Sequence, residues 1–282
     1  MKRNVVETVT GSRAIDGAGV HLVRVLGNKT VYRFDPFLML DAFDSHNPDD
    51  YIKGFPMHPH RGIETFTYLM KGRIDHEDSL GNKGTIHNGE IQWMTGGSGI
   101  MHQEMPKPTE HLLGLQLWIN LPAQEKMTEP KYFDITADMV KVAEEETATI
   151  RVLAGKYKDI QGARGHHLQV SVFDITVKSG QSFQIPSSPE ENLFVYIVDG
   201  SGSFGDDTEK RYPKKVAALF DSGDEFFVQA SDEGIHFILF SGKPLKEPIV
   251  WGGPIVMNTR EELLLAFEEL SEGTFIKHKI HK

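Results

Sequence analysis

Cysteine is absent from the 282 residues, which excludes disulfide staples, thiolate metal ligands and thiol-based redox switches. Any redox chemistry must therefore reside on a bound metal or cofactor. Positive charge is in short supply as well: 30 Lys and Arg stand against 40 Asp and Glu, a formal charge of -10. Such a surface repels a duplex phosphate backbone, so direct nucleic-acid binding is not expected. Long apolar runs are also missing. None reaches the ~20 residues that span a membrane, and the basic pair in M-K-R-N-V-V-E-T-V-T leads into no apolar stretch of signal-peptide length. The expectation is a soluble, cytoplasmic monomer that acts neither at a membrane nor on DNA.

What the chain does contain is mostly strand-like. Residues 65–70 read as a strand, Lys71-Gly72 as a turn and 73–79 as the returning strand. Asn82-Lys83-Gly84 and His87-Asn88-Gly89 turn the chain again, and 112–121 forms an apolar strand that stops at Pro122. Short strands at intervals of roughly ten residues indicate barrels or sandwiches. Residues 18–31 read as a hairpin around G-N-K, and 35–51 as a buried run with an N-P-D-D loop that covers a cavity mouth. The length suits two domains. Polar 125–134 and the acidic run Glu144-Glu145-Glu146 mark their junction, giving domains at 1–135 and 136–282, after which the same rhythm repeats. The fold class is therefore all-β, two barrels with one substantial helix over 258–273. Asn258 or Thr259 caps that helix, Leu263, Leu264, Phe267 and Leu270 form its apolar face, and Gly273 ends it.

Chemistry concentrates in residues 55–72 and 96–104. His58 and His60 stand two residues apart, as do His102 and Glu104, and in a strand such pairs project from one face. If both strands wall one barrel, three imidazoles and a carboxylate converge in an apolar interior. Without thiolates, that set favours Fe, Mn, Co, Ni, Cu or Zn. The second half lacks the pattern: aligning Gly200 with Gly72 puts Pro186 and Ser188 where His58 and His60 stand, so a second barrel without metal is expected.

The blocks H-P-H-R-G-I-E-T (58–65), G-G-S-G-I-M-H-Q-E (96–104) and P-I-V-W-G-G-P-I-V-M-N-T-R-E-E (248–262) resemble the pirin family of the cupin superfamily, and the likeness runs essentially end to end. The resemblance implies two cupin-type β-barrels, a bicupin, with one mononuclear iron, as Fe(II), in the first. It further implies a dioxygenase that opens quercetin-type flavonols to a depside with loss of CO. Pirin-like proteins are also implicated as non-catalytic, redox-sensing regulators that bind a transcription factor or metabolic enzyme, so a protein partner is the rival expectation to a small aromatic substrate. The wider cupin pattern makes Glu64 a ligand, whereas the pirin pattern makes it Glu104. Glu104 is taken as fourth ligand and proton acceptor, with Glu64 and Arg61 behind the ligands, Glu64 orienting one of them or structuring Arg61. Some of Phe43, Phe55, Met57, Trp93, Met94, Met101 and Trp118 should wall the cavity, which suits a flat polyphenol. The remaining histidines, among them His166, His167, His278 and His281, are read as surface groups. Lys210, Arg211, Lys214 and Lys215 are read as a solvated turn.

Overall fold

Alternation in sequence becomes alternation in burial. Ile100–Pro106 buries every second residue, the period of a pleated strand with one face inward. The computed structural model describes residues 1–278, so His281 lies outside the described part. Two β-barrels and one C-terminal helix account for the architecture, as the strand rhythm predicts, and the barrels are of the cupin type that the resemblance implies.

The division between them is not the single cut between 135 and 136. One unit comprises Met1–Gly11, Tyr32–Pro36 and Asp138–Pro244; the other comprises Ser12–Val31, Phe37–Ala137 and the chain from Leu245 onward. The reason lies in strand pairing. Val5–Thr10 zips antiparallel onto Val216–Phe220, with Thr8 opposite Ala218, so the N-terminus joins the later barrel. That unit is a nine-stranded sheet closed around an aromatic core that includes Phe173, Phe204, Phe220, Phe226 and Phe237.

The histidine-bearing unit has two facing sheets and a two-stranded ribbon, Val250–Gly252 paired with Ile255–Met257. One has four strands in the order Phe55–His60, Ile100–Pro106, Ile74–Asp78, Lys83–Ile86. The other has seven, in the order Lys131–Ile135, Glu90–Thr95, Ile63–Lys71, Leu112–Asn120, Phe37–Ser45, Val20–Leu26, Ser12–Asp16. Ile74 and Ile86 of the first share a core with Leu22, Phe43, Leu69 and Leu112 of the second, which fixes the sheets face to face. The expected hairpin over 18–31 does not form. Val20–Leu26 instead pairs with Ser12–Asp16 on one side and Phe37–Ser45 on the other, and the G-N-K turn opens a loop between those strands.

The helix is Arg260–Glu272, with Thr259 as N-cap, a capping box to Glu262 and Gly273 in the left-handed conformation that stops it. Its buried side differs from the expected one. Ala266 is buried and Leu263 and Leu270 pack beside it against Ile255, Met257 and Phe275, whereas Leu264 is 56% exposed. Phe267 is exposed along part of its ring and lies over Gly252, where a Cβ would meet it at 3.0 Å.

Candidate metal centre

Two prolines, Pro56 and Pro59, interrupt Phe55–His60. Neither can donate to a ladder, which confines the segment to a sheet edge, and it is the edge strand of the four-stranded sheet. Its one strand partner among the described residues is Ile100–Pro106. The register sets His102 opposite His58 and Ile100 opposite His60, then slips before Glu104, which faces Phe55. The three rings therefore meet. Centroids are 4.9 Å apart for His58 and His60, 4.4 Å for His58 and His102, and 4.9 Å for His60 and His102. One nitrogen from each lies within 4.8 Å of the other two.

The hydrogen bonds around these rings fix which nitrogens are free. His58 Nδ1 lies 2.9 Å from the Pro56 carbonyl and His60 Nδ1 3.3 Å from the Pro254 carbonyl. A carbonyl only accepts, so each Nδ1 carries the proton and each Nε2 is left with a lone pair. Those two Nε2 atoms stand 3.1 Å apart. Two lone pairs facing at that distance repel unless a cation sits between them. Ligands ~2.1 Å from a common cation stand about 3.0 Å apart in an octahedron and about 3.4 Å apart in a tetrahedron, so the spacing fits a bound ion. Both nitrogens of His102 are buried with no hydrogen-bond partner, a costly state for a polar atom that a metal bond would relieve. Desolvation pushes His60 and His102 well below the ordinary histidine range, with the neighbouring imidazoles adding to the effect. Neutral imidazole is the form that binds metal. The residues therefore fit a divalent first-row cation.

Glu104 is buried at 3% exposure, but it stands outside that set of three. Its carboxylate is held from the opposite sheet, by Thr67 Oγ1 at 3.2 Å and Gln116 Nε2 at 2.7 Å. Glu64 is buried too, and accepts from Trp93 Nε1 and Thr95 Oγ1, both at 2.9 Å. Arg61 takes its carboxylate from the C-terminal helix, donating to Glu269 at 2.6 Å, and also to the Ser98 and Phe275 carbonyls at 2.7 and 3.0 Å. Lys126 is another buried cation nearby. It donates to the Gly62 and Val256 carbonyls and to Asn120, and desolvation pushes it down to about 7.

A cavity of about 570 Å³ opens beside the imidazoles and includes His58 and His60 in its wall. Of the aromatic and Met side chains expected there, Phe55 and Trp118 line it. Phe43 belongs to the sheet-to-sheet core, and Trp93 and Met94 are fully buried, Trp93 between Phe66 and Phe133. Met57 points out at 45% exposure, because it falls one residue out of phase with the histidines, and Met101 is half-buried.

Sequence reasoning missed much of the wall: Met39, Asp41, Gln116, Arg24, Asp16 and Trp251. Asp41 and Gln116 each sit between apolar neighbours in a buried strand, and a polar residue so flanked is the signal that could have found them. The register explains their grouping. Thr67 faces Gln116, Gln116 faces Asp41, and Asp41 faces Arg24, so one polar row crosses the seven-stranded sheet. Two residues along, Trp118 faces Met39 and stacks obliquely on Trp251, with centroids 5.7 Å apart, which makes an apolar strip beside the polar one. His76, expected at the surface, is buried under the Tyr132 hydroxyl. His166 is exposed, His167 and His278 are half-buried, and the 210–215 lysines and Arg211 are exposed.

Comparison with known proteins bears on the same residues. The profile described as Pirin matches residues 19–119, and that described as Pirin C-terminal cupin domain matches 172–276. A Pseudomonas aeruginosa protein provisionally named quercetin 2,3-dioxygenase is 40% identical over 280 residues, covering 96% of this chain and 97% of its own. Human Pirin is 34% identical over 277 residues, covering 96% and 94%. A crystal structure described as quercetin 2,3-dioxygenase from Acinetobacter baumannii superimposes with a TM-score of 0.89 at 31% identity, covering 98% of this chain and 99% of that one.

Proposed function

The chain belongs to the pirin family, and from that premise we propose that it is a metal-dependent dioxygenase that opens a flavonol, converting a quercetin-type substrate and O2 into a depside and CO. One observation carries the reading: His58 and His60 belong both to the imidazole cluster and to the cavity wall. A cation held by His58, His60 and His102 would thus face a chamber whose volume suits one small flat ligand. Relatives described as quercetin 2,3-dioxygenases support the same choice.

A bound Fe(II) would supply Lewis acidity toward the adjacent hydroxyl and carbonyl of a flavonol and the means to activate O2. The protein's own groups do the rest. Glu104, whose carboxylate Gln116 and Thr67 hold in place, would be the fourth ligand and would take the proton of the flavonol 3-hydroxyl. Trp118, Trp251 and Phe55 cover the rings and keep water from the opening ring. No outside reductant is needed, since both atoms of O2 remain in the depside and the carbon lost as CO carries the oxygen of the 3-hydroxyl.

The test is oxygen uptake and CO release from quercetin by iron-loaded protein, both expected to vanish in His58→Ala. A loaded protein that binds metal at this site yet consumes no oxygen would overturn the enzymatic reading in favour of a regulator that binds a protein partner.

A further inference from the structure

Arg24 is the one Lys or Arg among the described residues of the cavity wall, and its hydrogen bonds leave it a specific vacancy. Nε donates to Asp41 Oδ1 at 2.9 Å, and Nη2 donates to Asp41 Oδ2 and Asp16 Oδ2, both at 2.7 Å. That two-pronged pair to Asp41, itself 3% exposed, locks the guanidinium plane. Nη1, with two N–H donors, has no partner among the described residues. Asp16 is held too, its Oδ1 accepting from the Gly17 amide at 2.7 Å, but half of its side chain remains open.

The charge of this group decides what it can bind. Two carboxylates stand against one guanidinium, which leaves the group negative, so an anionic substituent is repelled although an arginine is present. A bare aromatic ring would strip water from Nη1 and give nothing back. A neutral hydroxyl satisfies both sides, accepting from Nη1 and donating to Asp16. The strips described above agree: the apolar one carries Trp118 and Met39 for a ring face, and the polar one runs from Thr67 and Gln116 beside Glu104 to Asp41 and Arg24. A flat molecule chelated at the imidazole end would thus extend toward Arg24.

We propose that Arg24, fixed by Asp41 and flanked by Asp16, is the specificity-determining clamp of the cavity and selects substrates whose pendant ring carries neutral hydroxyls, catechol-type rings above all. The proposal rests on the flavonol reading and adds to it which flavonols are taken and by which residues.

Binding under anaerobic conditions tests it without turnover. Iron-loaded protein is titrated with quercetin, with galangin, which lacks both hydroxyls on the pendant ring, and with a 4′-carboxylated analogue, following quenching of Trp118 and Trp251. Quercetin should bind about tenfold more tightly than galangin, and the carboxylated compound more weakly than quercetin. The quercetin-to-galangin ratio should fall toward one in Arg24→Gln and in Asp16→Ala. If Arg24→Gln fails to fold because Asp41 loses its partner, the half-exposed Asp16 variant decides. A ratio near one in the unaltered protein, a ratio unmoved by Asp16→Ala, or tighter binding of the carboxylate overturns the clamp. If the ratio behaves as expected but no oxygen is consumed in air, the clamp stands and only the dioxygenase reading falls. If neither flavonol binds, both fall.

Discussion

Glu269→Ala should loosen the histidine segment from a distance, because it strips the counter-ion from a buried arginine next to His60. Arg61 follows His60 directly and is 1% exposed, so little water reaches its guanidinium. Once the carboxylate is gone, the guanidinium retains the Ser98 and Phe275 carbonyls and the Phe275 ring, 4.2 Å away. Breaking one side of a fully buried pair costs about 3–5 kcal/mol. The Glu269 side chain is 15% exposed and also pairs with Lys277, so partial hydration and the surviving carbonyls bring the expected cost to about 2–3 kcal/mol. With two units, unfolding is read from the transition of the histidine-bearing one, which holds Arg61, Glu269, Gly62 and Lys126. Amide exchange in Phe55–His60 and Ile100–Pro106 is the direct measure, and chelator competition should show about tenfold weaker metal retention. The double variant Arg61→Met, Glu269→Ala should recover at least about 1 kcal/mol relative to Glu269→Ala, since an apolar side chain replaces the whole pair and still packs on Phe275. A Glu269→Ala cost under about 0.5 kcal/mol, or a double variant worse than the single, refutes the reasoning.

Lys126, pushed down to about 7 by desolvation, gives a pH signature. Between about 7 and its unfolded value of ~10.5 the unfolded chain binds a proton that the native state does not, so stability rises with pH, by about 2 kcal/mol from pH 7 to pH 9. Denaturation at the two pH values should show the rise, and Lys126→Met should flatten it. Gly62→Ala should cost about 3 kcal/mol or more in thermal or urea unfolding, because Gly62 sits at φ +77 and an added Cβ would fall 2.0 Å from the Val256 carbonyl oxygen. Gln116→Leu keeps the volume but orphans one Glu104 oxygen and the Trp118 indole N–H. It should weaken metal affinity about 10–100-fold in chelator competition while costing about 1–3 kcal/mol of stability, and an unchanged affinity would separate Glu104 from the metal.

Local period was readable and distant pairing was not. The two-residue spacing of His58 and His60, and the matching parity of His102, follow from strand geometry alone, so the three rings could be foreseen in one place. The helix ends were equally plain, since a cap, a box and a terminal glycine are local signals. The hairpin over 18–31 failed because a G-N-K sequence marks a bend but not its length or which strand comes back. Trp93 was misplaced for a similar reason: nearness in sequence to the ligands says nothing about which face of its strand looks inward, and its indole reaches Glu64 instead of the cavity. Arg24 and Trp251 lie more than two hundred residues apart and share a wall only through tertiary pairing.

The crossing of the termini sets an order of events during synthesis. The Pro254 carbonyl that fixes the His60 tautomer, the Val256 carbonyl that takes Lys126 and the Glu269 that neutralises Arg61 all belong to the last tenth or so of the chain. A nascent polypeptide that has just released the three histidines from the ribosome therefore holds an unfinished cradle, and it stays unfinished while the whole later barrel is translated. Capture of a cation would consequently be an event that waits for the last strands and the helix, and a stop codon between residues 137 and 254 yields a product that has all three histidines and none of the later groups that settle them.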